Sequence, residues 1–356
     1  MLNWLLIFIP ITFGLEFFIH PSDSILFISA AFAIIPIAAN MGRATESLAT
    51  KTGPTIGGLL NATLGNATEL IIAFFALQAG KTEVVKASIV GSMIGNMLFV
   101  LGLALFLGGL KYQRQTFNKN MAGSLASMLV IVMIAFLIPA LFDFTEIASG
   151  VPLTQATAIN ANFSLAASVV LIVLYICNII FSLVTHKDFL STSGEHHEEG
   201  GWTMRRSFAT LIVCTLTVAW LSEVLVGALE GFSKGLGLSE VFAGLIIIPI
   251  IANASEHSAS LFAVKNKLDL SIQITLGATI QIALLVAPIL VIMSYLMGKP
   301  MDLVIHRPLE LAGLLGAVLI TANVAHDGES NWLEGAMLLG VYLLLALAFY
   351  YLPVAV

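Results

Sequence analysis

The sequence is poor in charge. Of its 356 residues only 36 are Asp, Glu, Lys or Arg, where an average soluble domain of this length carries about 89. More than half of the charge that a water-facing surface needs is missing, which excludes a water-soluble fold. Cysteine is almost absent too. Cys177 and Cys214 both sit inside apolar runs, where a thiol acts as a small hydrophobe rather than a metal ligand or half of a disulfide. No Lys/Arg-rich run occurs and the net charge is -6, so nucleic acid is not expected as a partner. The hydrolase signatures H-E-x-x-H and G-x-S-x-G are missing, which argues against an enzyme. The stretch from Met1 to Ile19 has no basic residue before it and contains Glu16, so it reads as a first membrane span rather than a cleaved signal peptide.

What the chain does have is apolar length. Apolar residues make up 58% of it, or about 206, close to the roughly 220 that eleven spans of about 20 residues need. Uncharged runs cover Ala87 to Leu110, Ala122 to Phe142, Leu165 to Val184 and Leu270 to Gly298. Strand-like alternation is absent, so helices are the expected spanning element. With the charge-bearing apolar stretches added, eleven spans are expected over 2–19, 24–48, 54–79, 84–110, 120–142, 160–185, 207–232, 240–264, 270–298, 307–325 and 332–353. The fold class is an all-α polytopic membrane protein whose solvent is the lipid bilayer.

The distribution of Lys and Arg sets the orientation. With the N-terminus cytoplasmic, the inner connections hold ten: Arg43, Lys51, Lys111, Arg114, Lys119, Lys187, Arg205, Arg206, Lys265 and Lys267. The outer side holds five: Lys81, Lys86, Lys234, Lys299 and Arg307. This bias puts the N-terminus inside and the C-terminus outside. The longest connection, 186–206, carries Glu195, His196, His197, Glu198 and Glu199 and reads as a cytoplasmic acidic linker.

An internal repeat points to the site. Gly65 to Leu70 read GNATEL and Ala252 to His257 read ANASEH. Downstream, Gly91, Ile94, Leu98 and Val100 recur as Gly277, Ile280, Leu284 and Val286. The expected organisation is a leading helix over 1–22, one five-helix repeat over 23–185, the linker, and a second repeat over 207–356. Five spans is an odd number, so the second copy enters the membrane from the opposite side, the arrangement of secondary transporters that bind ions near the midplane between halves.

Asn66 and Glu69 are three residues apart, which on a helix puts them on one face with Thr63 a turn earlier. Asn253 and Glu256 repeat the pair, with Ser260 a turn later. An ionised carboxylate at the bilayer centre costs about 2.5 to 3.5 kcal/mol on the lenient insertion scale, so two of them call for a bound cation or bound protons. Carboxylates, amides, hydroxyls and free carbonyls are the hard oxygen donors that suit Ca2+. Pro249 has no N–H and leaves the carbonyl of Leu245 without its helical partner, and Gly65 loosens the first copy, so free backbone oxygens are expected at both motifs. Burial and mutual repulsion favour the protonated acids, whereas a divalent cation favours the ionised ones. Metal or protons, not both, then satisfy the pair, which is the requirement for exchange.

The motif pair, together with Gly91-Ser92-Met93 to Asn96, Gly277 to Gln281 and the segment His326 to Gly335, resembles the calcium/proton exchanger (CAX) branch of the cation/calcium exchanger superfamily. The resemblance covers nearly the whole chain. It implies one leading helix and two inverted five-helix halves, with Glu69 and Glu256 as the ion- and proton-binding carboxylates and Asn66 and Asn253 as neighbouring ligands. It also places Ser92, Asn96 and Gln281 near the site. Sodium-driven relatives usually carry Pro just before the motif Glu; Thr68 and Ser255 stand there instead, which favours proton coupling. Ala252, where the family usually has Gly, and Ala278, opposite Ser92 of the first repeat, are departures.

The function expected is a Ca2+/H+ antiporter of the plasma membrane, with Ca2+ as transported substrate and no cofactor. Na+/Ca2+ or Mn2+/H+ exchange, or a cation channel, are the alternatives, and the sequence leaves open whether the protein is a homo-oligomer. Other polar residues have two readings. His257 is either a hydrogen-bonded structural histidine or an aid to proton transfer. Glu46, Glu223 and Glu230 are expected as acidic steps on water-filled paths, against the plainer reading of Glu46 and Glu230 as helix-end charges. Asp143, Glu146, Asp327, Glu329 and Glu334 read as loop charges.

Overall fold

Helices form wherever the apolar runs fall in the computed structural model, which describes residues 3–185, 202–263 and 268–352. In chain order they are α1 (Asn3–Ile19), α2 (Asp23–Thr52), α3 (Pro54–Leu64), α4 (Ala67–Gln78), α5 (Thr82–Lys111), α6 (Lys119–Ala148), α7 (Thr154–Thr185), α8 (Met204–Leu236), α9 (Glu240–Ala252), α10 (Ala254–Ala263), α11 (Leu268–Leu296), α12 (Pro308–Asp327) and α13 (Trp332–Tyr350). The local chemistry sets the ends. The Thr203 hydroxyl accepts from the Arg206 amide at 3.3 Å and caps α8, and Gly237 at φ 66° closes it in the left-handed region that a side chain disfavours.

Eight helices among the described residues are long and apolar enough to cross a membrane, and the bent pair α9 and α10 makes a ninth. The eleven expected spans therefore differ from the structure at the two others. The expected first span falls on α1, Asn3–Ile19, which is shorter than the spanning helices, and 54–79 is two short helices. The reason for the second is the turn at Gly65 and Asn66, which divides a span-length apolar run. One further difference is a two-residue antiparallel bridge, β1 (Gln115–Thr116) with β2 (Glu329–Ser330). The linker segment Glu195 to Glu199, and Lys187, Lys265 and Lys267 of the orientation argument, lie outside the described residues.

Burial separates the helices into layers. The apolar window of α5 is 83% buried and that of α11 67%, against 17% for α7, so α5 and α11 form the centre and α7 faces outward. Met93, Met97, Leu98, Leu276, Ala283 and Leu290 are among the residues packed there. Outside this core α2 and α8 lie along one another as the most extensive helix pair. Phe27 stacks on Phe232 with ring centroids 4.0 Å apart, and Gly231 leaves room for the Asp23 carboxylate. The segment His326 to Gly335 has a packing role. Gly109 and Gly335 let α5 and α13 touch backbone to backbone, where any Cβ would collide with Trp332 or Phe106.

Candidate functional site

Both motifs lie at helix breaks. Asn66, at φ -94° and ψ 21°, is the residue before α4, and Asn253, at φ -94° and ψ 9°, separates α9 from α10, which meet at 59°. The pair Asn66 and Glu69 is thus not on one face of a continuous helix. Each Asn instead stands at the start of a half-helix, with its Glu in the first turn. The positive end of that half-helix dipole points toward whatever lies beside Asn66 and Asn253.

The two breaks come together over α5 and α11. The amide nitrogen of Asn66 donates to Gln281 Oε1 at 2.7 Å. That of Asn253 donates to Ser92 Oγ at 2.9 Å and to the Pro249 carbonyl at 3.0 Å. Glu69 lies against Ser92 and Asn253, and Glu256 is within electrostatic reach of Glu69. Asn66, Asn253, Ser92 and Asn96 are all buried, none more than 3% exposed. Despite this burial, Asn66 Oδ1, Asn253 Oδ1, both carboxyl oxygens of Glu69 and Oε2 of Glu256 have no hydrogen-bond partner among the described residues, and neither does Asn96 Nδ2. Buried polar atoms are normally paired, and each unpaired one calls for an unseen partner. These five orphaned oxygens, three of them on the two acids, are a donor set for a hard cation or for protons. Among the described residues no three His, Cys, Asp or Glu side chains form a metal-binding group, so neutral oxygens must complete the coordination of any metal here.

α5 and α11 share a further feature. Each widens into a π-helical stretch beside the site, Gly95–Val100 in one and Ile282–Val286 in the other, the kind of local insertion that recurs at functional sites. A third, Ala243–Ile247, precedes Pro249. The Leu245 carbonyl, to which Pro249 offers no N–H, packs onto α5 at Gly91, whose missing side chain makes the approach fit. That oxygen serves helix packing.

Other expected residues lie elsewhere. Thr63 is exposed and bonds the Leu59 carbonyl at 2.8 Å. Ser260 bonds Ser271 of α11 at 2.6 Å. Both leave the motif acids to other partners, because a hydroxyl within a turn of its own backbone or of a facing serine satisfies itself there. His257 packs edge-on against Phe99, centroids 6.4 Å apart. Glu46 and Glu223 are exposed, and Glu230 is exposed and paired with Lys234 at 2.6 Å. The signals that sequence reasoning missed are the π-helical stretches, which leave no mark in composition.

Comparison with known proteins gives the family. The profile of the sodium/calcium exchanger protein family matches residues 23–184 and 206–351. The chain is 44% identical to the Ca2+/H+ antiporter of Aphanothece halophytica, over 98% of this chain and 96% of that one. It is 42% identical to the Ca2+/H+ antiporter ChaA of Bacillus subtilis, over 94% of each. The solved structure of native YfkE superposes with a TM-score of 0.84 at 37% identity, covering 99% of this chain and all of the other. This chain is a multi-pass membrane protein that belongs to the sodium/calcium exchanger family, in its calcium/proton exchanger branch.

Proposed function

We propose that the protein is a Ca2+/H+ antiporter that expels cytoplasmic Ca2+ across the plasma membrane at the expense of the proton gradient, with its N-terminus inside. The observation that carries this reading is the meeting of Glu69 and Glu256, one from each motif copy, with buried oxygens that no described residue satisfies. In the ionised form the two carboxylates, with Asn66 Oδ1 and Asn253 Oδ1, take a Ca2+ ion from the cytoplasm. Protons arriving from outside neutralise the acids and remove the attraction that holds the ion, and the neutral site returns. Because the same oxygens serve both, one occupant excludes the other.

The matched breaks at Asn66 and Asn253 and the matched π-helical stretches support two repeats, 23–185 and 207–356, entering the membrane from opposite sides. Ser92 and Gln281 orient the motif amides, and Asn96 sits one helical turn beyond Ser92. His257 assists proton transfer beside Glu256, and Glu46, Glu223 and Glu230 supply charge where the α2 and α8 pair meets water. Thr68 and Ser255 in place of proline favour protons over Na+ as the driving ion.

Ca2+ uptake into proteoliposomes under an imposed pH gradient tests the proposal. Uptake that follows the pH gradient and ignores Na+ supports it. Uptake driven by a Na+ gradient at equal pH, or a conductance without counter-transport, rejects it.

A further inference from the structure

A second set of acids, which the exchange reading does not use, lies where α6 runs into α7. A cavity of about 310 Å3 is lined there by Asp143 and Ile147 of α6, Asn160 of α7, and Asp302 and His306 of the segment before α12. The side chains of Asp143 and Asp302 are only 16% and 15% exposed. Their counter-charge is incomplete. Lys86 reaches Asp302 Oδ1 at 2.7 Å, an oxygen that also accepts from the Val304 amide at 2.9 Å, while Asp302 Oδ2 accepts no hydrogen bond among the described residues. Among the described residues no Lys or Arg lies at ion-pair distance from Asp143. Its neighbours are the Asn160 amide nitrogen at 2.6 Å and the His306 ring at 3.8 Å. Arg307, the next cation, is engaged by Glu310 at 3.1 Å and Glu83 at 3.9 Å.

A separate observation comes from Asn160. It is 2% exposed and spends its amide nitrogen on Asp143, yet its Oδ1 is buried with no partner among the described residues. An amide in the opposite sense of need, with a free N–H, would suit an anion. A free oxygen beside two carboxylates suits a cation, because the amide and carboxylate oxygens present negative charge to the same space.

We infer that this cavity is an outer cation site, distinct from the motif acids, that takes a hydrated divalent ion of the Ca2+ and Mn2+ class. Carboxylate and amide oxygens are the donors such ions prefer. The acids and His306 do not enclose a bare metal, so the ion keeps most of its water. Six waters at about 30 Å3 each occupy roughly 180 Å3, which the cavity of about 310 Å3 accommodates. By the Lys/Arg count this end of the bundle faces outside, where the site meets external cations and those just released.

The test is Mn2+ binding, followed by electron paramagnetic resonance on the full chain in detergent micelles. In the Glu69→Gln/Glu256→Gln variant one Ca2+-displaceable Mn2+ is expected to remain. Adding Asp143→Asn, which keeps the side-chain shape, should weaken it about 10- to 100-fold, and adding Asn160→Asp instead should tighten it by placing a charge where the free oxygen stands. Absence of Mn2+ binding in the Glu69→Gln/Glu256→Gln variant, or an affinity that neither Asp143→Asn nor Asn160→Asp changes, overturns the site. The comparison of wild type with the Glu69→Gln/Glu256→Gln variant judges the motif acids, so the two readings fail on different arms.

Discussion

Asn66 donates its amide hydrogen to Gln281, 215 residues away, at 2.7 Å. Asn253 does the reciprocal thing, reaching back 161 residues to Ser92 at 2.9 Å. In both cases the nitrogen is spent on the helix that follows the other motif and the oxygen is left free. The cross-brace therefore does two jobs. It ties the motif breaks to α5 and α11, and it leaves each motif amide oxygen without a protein partner among the described residues.

Removing the brace should weaken Ca2+ binding before it weakens the fold. Gln281→Leu leaves the buried Asn66 nitrogen without an acceptor, a loss of about 1–3 kcal/mol, and frees the amide to turn its N–H toward the acids. The expected result is a KM for Ca2+ raised about 5- to 150-fold in reconstituted vesicles, since 1.4 kcal/mol corresponds to about tenfold. Ser92→Ala should act similarly on Asn253. An unchanged KM in both would show that the amides are oriented by something else.

The acids themselves should be less forgiving. Glu69→Gln or Glu256→Gln replaces a charged ligand by a neutral one of the same shape, and each should abolish proton-driven Ca2+ flux while the protein still inserts and elutes as folded. In the wild type, lowering pH on the Ca2+-loading side should raise the apparent KM for Ca2+, because protons and metal compete for the same oxygens. Full flux in either variant, or a KM indifferent to pH, contradicts the shared-site mechanism.

Much of this site was legible in the sequence because its chemistry is expensive. Glu69 and Glu256 in an apolar chain demand a reason, and Pro249 announces a broken helix. Ser92 and Gln281 were reached only through family resemblance, since a polar residue in a span looks alike whether it braces a ligand or bonds its own turn. Thr63 and Ser260 show the other outcome, with the Leu59 carbonyl and Ser271 as their partners. The count of spans was less legible. Hydropathy sees the 54–79 run as continuous, whereas the turn at Gly65 and Asn66 is decided by what packs beside it. The π-helical stretches are decided the same way, by the ring of neighbours around Asn96 and Ile282 rather than by those residues.

Beside the α6–α7 turn, Lys86 holds Asp302 at 2.7 Å with side chains 11% and 15% exposed, and so ties α5 to the segment before α12. Lys86→Met should cost about 1–3 kcal/mol, below the 3–5 kcal/mol of a fully dry pair because some water reaches both groups. The loss is expected as a lower melting temperature in detergent, and Lys86→Met/Asp302→Leu should recover most of it. A Lys86→Met variant as stable as wild type would mean the pair is a surface ornament of the kind that contributes little.

The two repeats make the last expectation a paired one. Gly91 and Gly277 correspond in sequence, yet a Cβ at Gly91 would run into the Leu245 carbonyl, whereas at Gly277 nothing lies within 4 Å. Gly91→Ala must therefore push α5 away from α9, and because Ser92 is the next residue the push also pulls its hydroxyl from Asn253. Backbone cannot yield as a side-chain tip does, so Gly91→Ala should lose stability at the upper end of the 1–3 kcal/mol range of overpacked sites and lose most Ca2+ transport with it. Gly277→Ala should be neutral or slightly stabilising, since alanine is the better helix former by about 1 kcal/mol. Thermal melting and vesicle uptake on the two variants side by side give the answer. Equal tolerance at both positions would mean that the α5 and α9 contact loosens without cost and that the asymmetry between the halves is not functional.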